Sequence, residues 1–392
     1  MTSKWHEVPL RDLVGYISKG IAPSYADEET DTTIRVLNQK CNRNYQISYS
    51  ESRLHDTAKK KVPAERYVKR DDILINSTGA GTAGRIAQIG AVPCDTTVDG
   101  HMIILRANEK VMQRYLGYAL KAHQWEVLQL DEGSTGQTEL NRERLLDEIR
   151  ICYPESFSEQ EEIVLMLESI DHKTLVNKQI NDNLQQQAAA LFANFYDHAE
   201  TEVGFTEIIQ ILGGGTPKTG ESSYWNGNVP FFTPKDVGSP YTISTEKTIT
   251  EEGLSHCNSR LYPVNTVFVT ARGTVGKVGL PGAPMAMNQS CYALVGKETH
   301  QLLVYFYTLK AVDRLKHKAS GAVFDAITTR DFESEIIMKL SDEDAQGFLD
   351  VAEPIYQAVL SNSFENLRLA ALRDSLLPKL MSGEIDVSDI QL

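Results

Sequence analysis

The chain lacks the marks of several common protein classes. Its 392 residues hold five cysteines (Cys41, Cys94, Cys152, Cys257 and Cys291), scattered and never in a Cys-x-x-Cys pair. That pattern implies reduced thiols and argues against a disulfide frame or a thiolate zinc site. No apolar run exceeds six residues, far short of the roughly 20 needed to cross a bilayer. Met1-Thr-Ser-Lys4 leads into polar sequence without the apolar core of a secretory leader. A cytoplasmic protein with no membrane partner is expected.

Catalytic signatures are missing as well. Gly273-Thr-Val-Gly-Lys277 has the wrong spacing for a phosphate-binding loop and no Ser or Thr after it. No His-Glu-x-x-His or Gly-x-Ser-x-Gly occurs, and no nucleotide or S-adenosylmethionine cradle is expected. The nine histidines are dispersed, and His256-Cys257 has no further ligands close by in sequence. The reading is a non-enzyme with no catalytic residues and no metal site.

What is present is a long helix. From Ser158 to His198 the chain has neither Pro nor Gly. Ser158 and Glu161 have the form of a capping box. Apolar residues follow at Ile163, Leu167, Ile170, Ile180, Leu184, Ala188, Leu191 and Phe195, interrupted by Asn177 and Asn181. Such a helix is about 60 Å long and needs a lengthwise partner.

That partner lies in a repeat. Gly20-x-x-Pro23 corresponds to Gly214-x-x-Pro217, and Ile34-x-x-Leu37 with Lys40 to Val229-x-x-Phe232 with Lys235. Gly81-Thr-x-Gly-Arg85 matches Gly273-Thr-x-Gly-Lys277, and Tyr118-x-Leu-Lys-Ala122 matches Tyr307-x-Leu-Lys-Ala311. The matches continue in order to Ser158 and Ser341, as a duplication with short insertions and deletions requires. Each copy holds short apolar strands (73–75 and 102–105; 266–270 and 292–295) and a helix (114–129; 302–318). Each then runs into a long helix.

The second long helix starts at Ser341 with Asp344 in the capping position and ends near Pro378. Its expected stripe is Phe348, Val351, Ile355, Val359, Leu367 and Ala371. The fold class is therefore α/β (α+β), with two globular domains separated by two long antiparallel coiled-coil-like helices and related by a pseudo-twofold axis. The boundaries are residues 1–157, a spacer helix 158–200, residues 201–340, and a distal helix and tail 341–392.

The net charge of −14 counts against nucleic acid, but its distribution does not. Residues 1–155 hold 21 basic and 22 acidic side chains, and residues 201–340 hold 13 of each. The excess lies in the two helical segments, whose acidic faces suit protein partners rather than DNA. Lys59, Lys60 and Lys61, followed by Arg66, Lys69 and Arg70, form a basic cluster; Lys310, Arg314, Lys316, His317 and Lys318 form another. Such groups bind phosphates without reading sequence. Gly-rich polar loops follow a strand in each copy: Asn76, Ser77 and Thr78 with Arg85, and Arg272 and Thr274 with Lys277. Glycine permits close approach, while Arg, Asn and Thr can address base edges or phosphates. His101 in one copy, and Asn288, Gln289 and Ser290 in the other, stand just before a strand. Asn38, Lys40, Lys218, Thr233 and Lys235 complete the expected DNA-binding set.

At these residues the sequence resembles the DNA-specificity subunits of type I restriction–modification systems. The likeness is carried by Leu212-Gly-Gly-Gly-Thr-Pro-Lys218, Tyr224-Trp225, Pro230-Phe-Phe-Thr-Pro-Lys-Asp236, Arg272-Gly-Thr-Val-Gly276 and Asn288-Gln289. Gly321–Ile327 and Leu376-Leu-Pro-Lys-Leu-Met-Ser-Gly-Glu384 extend it. The first copy departs from the pattern. Gly20-Ile-Ala-Pro23 replaces Gly-Gly-Thr-Pro, and Gly79 or Ala80 stands near the place of the Arg.

The resemblance implies two target-recognition domains that read a bipartite, asymmetric site on double-stranded DNA. It also implies two methyltransferase (modification) subunits docked on the helices, with restriction subunits in the full complex. Adenine methylation and restriction would be done by those partners, which would also bind S-adenosylmethionine, ATP and Mg; this chain binds no cofactor. The competing expectation is a helical scaffold that binds only proteins.

Overall fold

The computed structural model describes residues 4–132, 138–238, 240–318 and 326–387. The chain divides into two compact units, Met1–His172 with Ala370–Leu392, and Lys173–Leu369. Each draws on both long helices.

The first unit contains β1 (Trp5–Pro9), β2 (Val14–Lys19), β3 (Thr33–Leu37), β4 (Ile73–Asn76), β5 (Ile86–Gln88), β6 (Thr96–Val98), β7 (Met102–Ala107) and β8 (Arg150–Pro154). Its helices are α1 (Gln113–Ala122), α2 (Arg142–Glu148) and part of α3 (Phe157–His198). An antiparallel sheet runs in the order β2-β7-β4-β5, β3 and β6 pair in parallel, and β1 and β8 pair antiparallel. Strands β4 and β7 are apolar on both faces because both are covered. Ile73, Ile75, Ile103 and Leu105 meet Tyr115 and Leu116 of α1. Leu74, Met102 and Ile104 turn to a second cluster with Leu37 and Val98. The helix expected to run to residue 129 ends at Ala122 and resumes only for Gln124–Val127. The Gln124 side chain fixes this break by accepting from Ile86 N (2.8 Å) and donating to Gly84 O (2.7 Å).

The second unit repeats the plan with β9 (Thr201–Gly204), β10 (Ile209–Gly213), β11 (Trp225–Phe232), β12 (Val267–Thr270), β13 (Val278–Pro281), β14 (Ala286–Met287), β15 (Cys291–Gly296) and β16 (Ile336–Lys339). Its helices are α4 (Gln301–Lys318), α5 (Thr329–Glu333) and the remainder of α3 with most of α6 (Asp342–Met381). The sheet order β10-β15-β12-β13 reproduces that of the first unit. β11 and β14 form the matching parallel pair, and β9 and β16 the matching outer pair.

The repeat extends to individual backbone bonds. Leu10 N donates to Ile149 O and Phe205 N to Glu335 O, both at 2.8 Å. Gly84 N donates to Asn76 O and Gly276 N to Thr270 O, again both at 2.8 Å. Gly84 and Gly276 take φ of +83° and +73°, which a side chain adopts only at a cost.

Helices α3 and α6 span 42 and 40 residues. In the second unit Phe192 of α3 faces Phe348 of α6 (5.4 Å between ring centroids), while Asn181 meets Asn362 and Asn177 meets Asn366. Partner numbers fall as residue numbers rise, so these segments are antiparallel. In the first unit Asp171 meets Arg373 (3.0 Å). Asn177 and Asn181 are buried at 1% and 7% exposure, and their partners all lie on α6. These are the polar seam positions that can fix register.

The stripe differs from expectation in detail. Ile180, Val351 and Leu367 are exposed, as is Ala371. Phe192, Tyr196, Ala352 and Tyr356 are buried instead, each one position beyond the expected residue, in the stretch where Phe192 and Phe348 pack ring to ring. The first helix begins at Phe157, where Ser156 Oγ accepts from Glu159 N, so the capping serine lies two residues before Ser158. The Ser341–Asp344 cap forms as expected. The second helix continues past Pro378 and ends at Met381, with Gly383 following at φ +74°.

Candidate nucleic-acid interface

In the second unit four loops meet at one end of the sheet. Asn288 N donates to Phe232 O (3.0 Å), Ala271 N to Ser290 O (2.8 Å) and Gly215 N to Met287 O (3.0 Å). Thr274 Oγ1 donates to Pro234 O (3.2 Å), and Thr216 Oγ1 to Gln289 Oε1. Lys218, Lys235, Arg272, Thr274, Lys277 and Gln289 are thereby gathered with exposed side chains. Three of the expected residues play a framing part. Thr233 gives its hydroxyl to Asp236 (2.6 Å), Asn288 Oδ1 accepts from Ser290 N (3.0 Å), and the Ser290 carbonyl accepts from Ala271.

The same bonds recur in the first unit. Asp99 N donates to Leu37 O (2.9 Å), Ser77 N to His101 O (2.8 Å) and Ile21 N to Val98 O (2.9 Å). Asn38, Lys40 and His101 border a polar recess of about 540 Å³. Thr78 Oγ1 lies 2.7 Å from His101 Nδ1, and Arg85 Nη2 donates to Gly81 O (3.4 Å). Lys59, Lys60 and Lys61 are exposed; Lys59 pairs with Asp56 (3.6 Å) and Lys60 Nζ donates to Ala22 O (2.7 Å).

Asn76 and Ser77 depart from the expected outward set. Both are 0% exposed. Asn76 accepts from Asn42 (3.2 Å) and donates to Gln39 O (3.2 Å), while the Ser77 hydroxyl donates to Gly100 O. They hold the loop from inside, as buried Thr270 does in the other unit.

The place of Arg272 is also resolved. Thr78 bridges to Glu139 as Arg272 bridges to Ala326, so Thr78, rather than Gly79 or Ala80, is its counterpart. Residues 79–84 have the spacing Gly-x-Gly-x-x-Gly directly after β4. They lead into strand β5, so no helix N-terminus is present there to receive a phosphate.

Charge is distributed unevenly around these loops. Burial pushes the Asp99 carboxyl above its usual range, opposed by the His101 amide and the charges of His101 and Arg53. Arg314 (3.1 Å) and Lys318 both pair with Glu335, which is 1% exposed. That part of the α4 basic cluster therefore neutralises a buried acid. Lys310 and Lys316 instead flank, with Lys277, a cleft of about 690 Å³ floored by Phe192 and Phe306. Sequence reasoning missed Gln39 and Thr216, whose side chains join the loops at Thr78 and Gln289. Thr216 was signalled by its place in the Gly-rich Thr-Pro segment; Gln39 carried no signal. Most of Gly321–Ile327 lies outside the described residues.

The family comparison fits this duplicated site. A model described as type I restriction modification DNA specificity domain matches residues 2–186 and again 201–343. The chain belongs to that family. Over 124 residues it is 31% identical to the type I restriction enzyme MjaIX specificity subunit of Methanocaldococcus jannaschii, covering 30% of this chain and 29% of that one. Over 185 residues it is 28% identical to the HindI specificity subunit of Haemophilus influenzae, covering 46% and 40%. The matched stretches thus span less than half of these curated relatives. The crystal structure of a type I restriction–modification S subunit from M. genitalium shares the fold (TM-score 0.58, 14% identity, 97% of this chain and 96% of that one). Membership in a DNA-specificity family does not favour the scaffold that binds only proteins.

Proposed function

We propose that the chain is the DNA-reading subunit of a type I restriction–modification assembly. Each unit reads one half of a bipartite, asymmetric site on double-stranded DNA, and partner subunits perform adenine methylation and restriction there. The observation that carries this reading is the duplicated loop cluster. One set of backbone hydrogen bonds recurs in both units and presents different side chains, such as Thr78 and Arg272. Affinity comes from lysines and arginines on phosphates, and specificity from the polar loop residues.

The long helices carry the methyltransferase subunits in this reading. Leu165, Leu175 and Ile180 on α3 and Val351, Leu367 and Leu372 on α6 are each more than 40% exposed, and they offer apolar surface that such a partner would cover. S-adenosylmethionine, ATP and Mg belong to the partners, and this chain contributes recognition without chemistry. Five unpaired cysteines suit a reducing cytoplasm.

The test is selection of randomised duplexes by this chain together with its methyltransferase partner, followed by sequencing. A split motif with a fixed gap is expected. Enrichment of no such motif refutes the reading.

A further inference from the structure

One exposed cation–aromatic pair in the first unit lies across two paired strands, Tyr25–Ala26 and Arg53–Asp56. The Arg53 guanidinium carbon lies 3.5 Å from the centroid of the Tyr25 ring. Tyr25 is 39% exposed, and Arg53 is exposed as well. Among the described residues the Arg53 side chain has no hydrogen-bond partner. Both residues line the polar recess that also holds Asn38, Lys40, Asp99 and His101.

An exposed arginine without partners ordinarily samples many rotamers. Stacking on an aromatic face removes much of that freedom and sets the guanidinium plane parallel to the ring. Its N–H edge is then free to make two parallel hydrogen bonds. That is the arrangement which recognises O6 and N7 of guanine in the major groove.

The second unit carries a related pair in the same register. Arg53 lies opposite Val36 on β3, and Lys247 lies opposite Phe231 on β11; Val36 and Phe231 are equivalent positions of the repeat. Lys247 Nζ sits 5.7 Å from the Trp225 ring centroid. Cations at equivalent strand positions thus lie over an aromatic ring in both units, although the two rings come from non-equivalent strands and the cation's chemistry changes. Lysine is a point charge on a flexible stem and lacks the planar fork, so it suits a phosphate.

We infer that Arg53, held flat on Tyr25, reads a guanine in the half-site of the first unit, whereas Lys247 on Trp225 grips the DNA backbone in the second. This inference rests on the function proposed above and names residues that determine its specificity.

The test repeats the randomised-duplex selection with the full chain and its methyltransferase partner, comparing wild type with Arg53→Ala, Arg53→Lys, Tyr25→Ala and Lys247→Ala. Arg53→Ala and Arg53→Lys are expected to lower the preference for one guanine by about tenfold or more, leaving the other half-site unchanged. The unchanged half-site also shows that the variant is folded. Tyr25→Ala is expected to weaken the same preference in part. Lys247→Ala is expected to lower affinity for all sequences and reduce the salt dependence by about one unit of slope, with the motif intact. If Arg53→Ala leaves every base preference unaltered, or behaves as expected of Lys247→Ala, the assignment of Arg53 is overturned. A base preference changed by Lys247→Ala overturns the contrast between the units. A wild-type chain that enriches no split motif removes both this inference and the function on which it rests.

Discussion

The side-chain amide of Asn362 donates to Asn181 Oδ1 at 2.8 Å, joining two residues that are far apart in sequence but level with each other on antiparallel helices. Asn181 Nδ2 in turn donates to the Val359 carbonyl at 3.2 Å. Buried amides have few alternative partners, so a slip of either helix leaves them unpaired.

Asn181→Ala is therefore expected to destabilise the protein by about 1–3 kcal/mol, the usual cost of orphaning a buried polar partner. The double variant Asn181→Leu with Asn362→Leu removes both partners and should recover much of that loss. Chemical denaturation of the three proteins checks this. Full stability in Asn181→Ala would show that the asparagines do not hold the seam.

Alkaline pH provides a second test. Burial pushes the phenols of Tyr305 and Tyr307 up to about 12, and Tyr115, Tyr118, Tyr241 and Tyr356 are raised by burial too. In the unfolded chain tyrosine ionises near pH ~10. A raised folded-state value means that the stabilisation is complete below that pH and is lost as pH rises toward the folded value. Denaturant midpoints should fall steeply between about pH 9 and pH 12, with tyrosinate absorbance appearing together with unfolding. Tyrosine ionisation well before unfolding would contradict the burial of these rings.

At the loops, Arg272→Ala and Lys235→Ala should separate reading from grip. Arg272 stands where the first unit has Thr78. Its loss is expected to cost about 1–3 kcal/mol and relax preference in one half-site. Lys235→Ala should weaken binding to all sequences alike and flatten its salt dependence. Binding isotherms at several salt concentrations on matched and single-substituted duplexes distinguish the two. An Arg272→Ala protein that loses affinity equally for every sequence would assign that residue to phosphate.

Exchange of residues 201–340 for the same region of a relative should alter one half-site only. The outer pair β9–β16 brackets this segment with antiparallel register from Thr201↔Lys339 to Gly204↔Ile336, so a graft enters and leaves at adjacent strands. Methylome sequencing that shows both halves changed, or neither, would defeat the modular reading.

Much of this was legible in the sequence because duplication supplies an internal control. The strands β4, β12 and β15 and helix α4 fell within one residue of expectation at each end, and β7 runs on by two residues to Ala107. Their apolar runs are short and bounded by turn residues, which fixes them locally. The helix seam was read less well. A 3.6-residue pattern tolerates a one-position shift, and only the burial of Asn177 and Asn181 decides which face is inward. Asn76 was misjudged for a similar reason: amide side chains that bind DNA and those that tie a loop are the same in sequence. The difference lies in Asn42 and Gln39, which reach Asn76 from another part of the chain. The counterpart of Arg272 escaped notice because glycines around Thr78 blur the alignment, whereas the bridge to Glu139 does not.

The recurrence of one set of main-chain bonds beneath unlike side chains has an evolutionary consequence. Because the bonds from Ser77 N to His101 O and from Ala271 N to Ser290 O run between peptide groups, the outward side chains that make no bond across these loops are under little obligation to the fold. Substitutions there can accumulate without loss of solubility or assembly, and each half of the target can drift separately from the other. New specificities then arise by small steps or by recombination between relatives, from a lineage whose frame stays constant.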